Sequence, residues 1–202
     1  MRPISKGTAA SRRKQMSRIA LLALLTLTAA ACTSPVIGTP TASLTSTAAS
    51  SSPIPTNQAG RVHITFEPCK DIPANVIKDL KLDKSPPRPD TQTDGEIENV
   101  FCKYRSQGKY YLTIAASNHT LETLKKTNRG WDLQEFVIGG RQAISTFDSP
   151  QPSTDDCSIN VEATTGVYGV LVGTADHSFD PYPDCMAAAR ASTEALLPYF
   201  PR

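Results

Sequence analysis

Four cysteines in the last two thirds of the 202-residue chain constrain its fold more than any other feature. They are Cys69, Cys102, Cys157 and Cys185, and each is at least 28 positions from the next. Zinc sites are built from closely spaced cysteine and histidine ligands, so these spacings predict no metal site. An even number of cysteines predicts two disulfides if the chain is exported to an oxidising compartment.

The N-terminus has the pattern of a secretory signal. Residues 19–31 are thirteen uncharged residues, too few for a membrane-spanning helix, which needs about 20. Six Lys and Arg residues precede this run, and no acidic residue occurs before Glu67. A basic flank, a short apolar run and small residues at its end are typical of a cleaved signal rather than of a buried helix.

Cys32 follows directly after the small residues Ala29, Ala30 and Ala31. This arrangement resembles the lipobox of bacterial lipoproteins, with Ala29 where leucine is usual. The resemblance implies that residues 1–31 are removed and that the Cys32 thiol is acylated. Two acyl chains suffice for stable anchoring, so we expect Cys32 to hold the protein at the extracytoplasmic face of the cell membrane.

Residues 32–60 are predicted to be a tether. After Cys32 they consist mainly of Ser, Thr, Ala and Pro and carry no charge, so they cannot bury enough surface to offset the entropy of ordering. As a flexible coil the segment spans roughly 30 Å. Its Ser and Thr density is compatible with O-glycosylation and equally with an unmodified spacer. The predicted organisation is a signal at 1–31, a tether at 32–60 and a folded domain at 61–202.

Loss of the leader changes the sign of the net charge. Residues 1–31 contain six of the 21 Lys and Arg residues and none of the 19 acidic residues, so the net charge goes from +2 to −4. Nucleic-acid binding needs clustered Lys and Arg on one face. The mature chain is therefore not expected to bind nucleic acid.

Periodicity and turn residues predict the elements of the domain. The first part is predicted as a strand at 62–66, a helix over 71–82 with Asp71 as N-cap, and a loop at 85–96. A hairpin of 100–105 and 109–117 follows, then a short helix at 120–128 and a strand or hairpin at 135–146 around Gly139 and Gly140. The last part is predicted as a hairpin of 158–164 and 167–174 and a helix at 185–197. Neighbouring strands joined by short turns pair antiparallel. We therefore expect an α+β domain with a single antiparallel sheet packed on one side by helices.

The disulfide pairing remains open at this point. Joining Cys69 to Cys102 and Cys157 to Cys185 closes loops of about 30 residues, each worth about 3.5 kcal/mol on the chain-entropy model. The main alternative joins the two cysteines that precede helices, Cys69 and Cys185, and the two in strands, Cys102 and Cys157.

Short motifs recur in a characteristic order along residues 62–200. They are Phe66-Glu67-Pro68-Cys69 before a helix, Cys102 with Tyr104 two residues on, Gly139-Gly140, Cys157 at the start of a strand, and Asp184-Cys185 before an alanine-rich helix ending in Leu196-Leu197-Pro198. This order resembles a family of actinobacterial envelope lipoproteins classified only as a domain of unknown function. The resemblance implies export, lipidation and two disulfides, and it implies no catalytic residue.

Two functions compete. The first is a non-catalytic binding module of the cell envelope, contacting an envelope protein, a lipid or a wall glycan through the loops 85–96 and 175–184, because loops on a rigid scaffold usually carry recognition. The second is a hydrolase-like envelope enzyme with a dispersed site near His177, whose sequence neighbours include Asp176, Ser178 and Asp180. No established catalytic motif supports the second reading. The sequence predicts a binding module that uses no cofactor.

Overall fold

Seven antiparallel strands form one sheet in the computed structural model, which describes residues 53–57 and 60–202. The strands are β1 (Arg88–Asp94), β2 (Ile97–Arg105), β3 (Tyr110–Ser117), β4 (Trp131–Ile138), β5 (Arg141–Phe147), β6 (Asp156–Ala163) and β7 (Gly166–Thr174). Their order across the sheet is β1-β2-β3-β7-β6-β5-β4. Two meanders therefore meet where β3 pairs with β7. This arrangement confirms the predicted α+β class with a single antiparallel sheet.

Within residues 60–202, two helices precede the first strand, one connects β3 to β4, and one follows the last strand. They are α1 (Pro68–Asp71), α2 (Ala74–Asp79), α3 (Leu121–Thr127) and α4 (Cys185–Leu196), and a 3-10 turn at Leu197–Tyr199 follows α4. The carboxylate of Asp184 caps α4 by accepting a hydrogen bond from the Ala187 N–H at 2.8 Å. None of the helices in the described ranges is both long and apolar enough to cross a membrane.

Alternation of side chains along the strands divides the sheet into two faces. The face toward α1, α2 and α4, here the core face, carries the main hydrophobic core. Across its centre Leu112 lies opposite Val172, and Ile114 lies opposite Val170, all of them buried. We call the opposite side of the sheet the open face.

Both disulfides lie on the core face and join a helix to the sheet. Cys69 of α1 is bonded to Cys102 of β2, and Cys157 of β6 is bonded to Cys185 at the start of α4. The prediction of two disulfides is confirmed, and the pairing is the sequential one. The bonds fix the two ends of the helical layer to different strands of one sheet.

Helix α3 packs on the open face, in addition to the helices of the core face. Leu121 of α3 contacts Ile144 and Val167, which form a small separate cluster with it. The Thr120 hydroxyl caps the helix by accepting a hydrogen bond from the Thr123 N–H at 3.1 Å. Helix α3 lies in the connection from β3 to β4, which has to pass the three strands between them, and it does so over the open face.

Most predicted elements are confirmed with small changes at their ends. The three hairpins are β2–β3, β4–β5 and β6–β7, and the predicted helices at 120–128 and 185–197 correspond to α3 and α4. The turn between β4 and β5 has a positive φ at both Gly139 and Gly140, as a tight two-residue turn requires.

Three predictions about the first part of the domain are wrong. Residues 62–66 form no strand, because the Ile64 N–H donates to the Glu98 carboxylate at 3.0 Å instead of to a neighbouring strand. Asp71 does not begin a helix: it is the last residue of α1, and its carboxylate accepts from the Glu67 N–H at 2.7 Å. Alternating burial at Ile64 and in the residues near it reflects packing on the core and not sheet pairing.

The third correction concerns the proline-rich segment 85–96, which contains strand β1 and is not simply a loop. Pro89 lies opposite Cys102 in the ladder with β2. Proline is tolerated there because β1 is at the edge of the sheet, where a missing N–H leaves no ladder bond unmade. A proline such as Pro89 is therefore compatible with an edge strand and does not require a loop.

Candidate functional site

Small residues on the central strands make the open face concave beside α3. Ala115, Gly169 and Asn160 lie side by side on β3, β7 and β6. A Cβ at Gly169 would lie 2.1 Å from the Ile159 carbonyl oxygen, so the sheet itself excludes a larger residue there. Two adjoining cavities of 210 and 430 Å³ lie on this face, and both are lined by Asp148 and Leu171. We refer to the two together as the groove.

The groove combines an apolar floor with many uncharged polar groups. Its apolar residues include Phe101, Tyr111, Ala115, Ile144, Val167 and Leu171. Its amides and hydroxyls belong to Asn99, Thr113, Ser117, Asn128, Thr146, Ser158 and Asn160. Some of these groups hold one another in place, since the Asn128 amide donates to the Thr146 hydroxyl at 3.2 Å. Such a lining is typical of sites that orient a ligand by a few directed hydrogen bonds.

The carboxyl groups of Asp148, just after β5, and of Asp156, at the start of β6, line the groove. Both residues are exposed overall, but the walls of the groove desolvate their carboxyl groups. Desolvation raises the pKa of Asp148, although a hydrogen bond from Ser158 opposes the rise. It also raises the pKa of Asp156, to which the nearby charge of Asp155 adds. This part of the groove can therefore accept hydrogen bonds from hydroxyl or amide donors.

His119 lies between the groove and a further cavity of 320 Å³ at the end of the sheet that carries residues 60–62. Burial lowers the pKa of His119, and the positive charge of Arg61 lowers it further. Its Nδ1 atom is buried without a hydrogen-bond partner among the described residues. Both effects favour the neutral form of the ring at the margin of the groove.

A family model described as "Protein of unknown function (DUF3558)" matches residues 27–198. The chain belongs to this family. The match confirms the predicted resemblance to a domain of unknown function, and it covers both disulfides and the whole groove. No curated protein and no solved structure matches the chain.

In this DUF3558 protein, His177 does not form the predicted cluster with its sequence neighbours. Its Nδ1 atom lies 2.6 Å from Oδ1 of Asp155, and the other carboxylate oxygen of Asp155 accepts from the Ser153 hydroxyl at 2.7 Å. The hydrogen bond from Ser153, followed by the one from His177, lowers the pKa of Asp155. Asp176 turns instead toward Thr174, whose hydroxyl donates to it at 3.0 Å.

The His177 side chain is 80 % exposed and is not among the residues that line the groove. Sequence reasoning missed Asp155 as its partner because the two residues are 22 positions apart. The residues of the groove were missed for a related reason: they come from five different strands and from α3 and its flanks, and each looks like an ordinary strand or loop residue.

One of the two predicted recognition loops reaches the groove of the DUF3558 domain. Ala175, in the segment 175–184, lines the larger cavity. The other segment, 85–96, contributes the edge strand β1, where Asp90 pairs with Lys103 of β2 at 2.6 Å. Within residues 53–57 and 60–202 no group of three or more His, Cys, Asp or Glu residues could hold a metal ion. Cys32, the signal and most of the tether lie outside the described residues.

Proposed function

We propose that this DUF3558 protein is a lipoprotein of the bacterial cell envelope whose domain binds a partner without catalysing a reaction. Acylated Cys32 would anchor it at the extracytoplasmic face of the membrane, and residues 32–60 would hold the domain away from the surface. The leader pattern of residues 1–32 supports the anchoring. Two disulfides support an oxidising compartment, since cytosolic proteins rarely keep them.

The groove is the observation that carries the binding role. It is a preformed concavity with an apolar floor and directed polar groups, which is how proteins bind small molecules and short polymers. His177, around which the alternative enzyme site is predicted, is exposed and lies outside the groove. A binding module needs only the groove.

Among an envelope protein, a lipid and a wall glycan, we infer that the groove binds a wall glycan. Sugar hydroxyls would pair with the amide, hydroxyl and carboxyl groups, while ring faces would rest on Phe101, Tyr111 or Leu171. An acyl chain in the same place would leave those polar groups desolvated without hydrogen bonds, which costs about 1–3 kcal/mol for each group.

A blocked groove tests this proposal. Leu171 is 38 % exposed and lines both cavities, so Leu171→Arg fills the groove without disturbing the core. Val137 on β4 is 59 % exposed and is not a groove residue, so Val137→Arg is the matched control. In co-sedimentation with purified wall glycan, we expect Leu171→Arg to lose at least tenfold in affinity and Val137→Arg to behave as wild type. Equal binding by both variants would refute the groove as the site.

The non-catalytic half of the proposal is tested separately. The triple variant His177→Ala, Asp176→Ala and Asp180→Ala removes the histidine and its acidic sequence neighbours. It leaves Asp155 in place, because the charge of Asp155 acts on the groove residue Asp156. We expect it to fold and to bind glycan like the wild type, because these side chains lie outside the groove. A hydrolase screen in which the wild type turns over a substrate and this variant does not would establish an enzyme instead.

A further inference from the structure

A pocket separate from the groove lies at the turn between β4 and β5. It has a volume of 420 Å³ and is lined by the residues Gly140, Arg141, Gln142, Glu162, Ala163, Thr164 and Arg202. We call it the arginine pocket. It borders the 320 Å³ cavity near residues 60–62, with which it shares the end of β6 and Thr164.

Its two guanidinium groups lack a counter-ion in the described part of the chain. Arg141 donates from Nε to the Glu162 carbonyl oxygen at 2.8 Å, while its Nη2 atom is buried without a hydrogen-bond partner. Neither Arg141 nor Arg202 belongs to an ion pair within those residues. Burial, followed by the charge of Arg202, lowers the pKa of Arg141. A partly buried cation beside a second cation is costly unless an anion compensates both.

We propose that the arginine pocket binds a phosphate or phosphodiester group through Arg141 and Arg202. The planar fork of the exposed Arg202 guanidinium matches phosphate oxygens in pairs, which makes arginine the usual residue for this recognition. Arg141, whose Nε is bound to the Glu162 carbonyl oxygen and whose Nη2 is buried, contributes its positive charge. The Thr164 hydroxyl donates to the Arg202 carbonyl oxygen and so holds that residue beside the pocket. The volume is within the range of about 300–1,000 Å³ that small-molecule sites occupy.

The carboxylate of Glu162 also belongs to the lining, and it repels an anion. It gives the proposal a specific consequence: neutralising Glu162 strengthens phosphate binding. If Glu162 were instead the counter-ion of the two arginines, neutralising Glu162 would not strengthen the binding of phosphate. The site does not depend on the proposed glycan groove, because the two share no lining residue.

Titration of the full chain carrying Cys32→Ala with inorganic phosphate at low salt, followed by calorimetry, tests the proposal. We expect Arg202→Gln and Arg141→Gln each to lose at least tenfold in affinity, because each removes one positive charge and Arg202→Gln also removes the fork. Glu162→Gln should bind more tightly. Arg129→Gln makes the same charge change at an exposed residue outside the pocket and should bind like the parent.

Absence of phosphate binding by the parent, an equal loss in Arg129→Gln, or no gain in Glu162→Gln would each overturn the proposal. Because Arg202 is exposed, its variant decides the matter if Arg141→Gln fails to fold. Sedimentation with phosphatidylcholine vesicles, with and without phosphatidylglycerol, identifies the source of the phosphate. Binding only to the phosphatidylglycerol vesicles, lost in Arg202→Gln, indicates a lipid headgroup; phosphate binding without vesicle binding indicates a soluble phosphate ester.

Discussion

Histidines show how differently single residues of one type behave in this domain. His119 is partly buried at the junction of two cavities and has a lowered pKa. His177 is exposed and bonded to a carboxylate, and His63 lies on the surface 2.8 Å from Glu98. The fold therefore separates one partly buried ring from two surface rings that are paired with carboxylates.

The lowered pKa of His119 predicts a loss of stability in mild acid. The unfolded chain takes up a proton near pH 6.5, whereas the folded chain does so only at lower pH, so the free energy of unfolding falls as the pH drops below about 6.5. We expect His119→Gln to reduce the drop in Tm between about pH 7.5 and pH 5.5. Thermal unfolding in a pH series measures this effect.

His177→Gln is the control for that series, because His177 is 80 % exposed and carries no comparable burial. It should not reduce the drop in Tm. A wild-type pH dependence in His119→Gln would show that burial of this ring does not control acid stability.

At the scale of elements, each disulfide joins a helix to a strand rather than one strand to another. Cys69–Cys102 holds α1 on β2, and Cys157–Cys185 holds the start of α4 on β6. Helix α1 has only four residues and no side-chain cap, so it depends on such a bond. The longer α4 has its own cap and a buried alanine-rich face.

Removing one bond should therefore destabilise the domain by about 3–4 kcal/mol, since each closes a loop of roughly 30 residues. We expect this loss in the double variant Cys157→Ala and Cys185→Ala, measured by denaturant unfolding. In the untreated wild type, alkylation without reduction should label none of the four domain cysteines, and peptide mapping should recover the two sequential pairs. A peptide linking Cys69 to Cys185 would contradict the structure.

At the scale of the whole molecule, the proposed anchor and the domain act together. A tether of about 30 residues raises the effective concentration of the domain near other envelope components, so a modest affinity for glycan is sufficient. The 320 Å³ cavity and the arginine pocket lie at the end of the sheet where residues 60–62 join the domain. The groove extends along the open face to Thr174 and Ala175 at the opposite ends of the strands.

Substitution of Cys32 tests the anchor. Without its thiol the chain cannot be acylated, so Cys32→Ala should be released from membranes or remain as unprocessed precursor. Fractionation measures the release, and mass spectrometry of the wild type should show an acylated Cys32 as the first residue. An unlipidated mature protein that begins at Ala31 or earlier would exclude the lipoprotein proposal.

The sequence by itself determined the features that depend on short stretches of chain. Turn glycines and alternation located the three hairpins, and an N-cap with helical spacing located α4, because these signals act over a few residues. The same local signals misled at 62–66 and 85–96, where the identity of the hydrogen-bond partner decides between strand and loop.

Only the tertiary structure decided the cysteine pairing, the His177–Asp155 contact and the groove. The cysteine pairing depends on which strand each helix packs against, and the His177–Asp155 contact lies at the open end of the β6–β7 hairpin. The groove depends on the register between β3 and β7, whose paired residues are 50 to 64 positions apart, and on which side chains that register places on one face. Ala115, Gly169 and Asn160 become the floor of a concave site only when three strands set them side by side. Pairing over such a separation is selected by burial of the whole core, which no short stretch of sequence encodes.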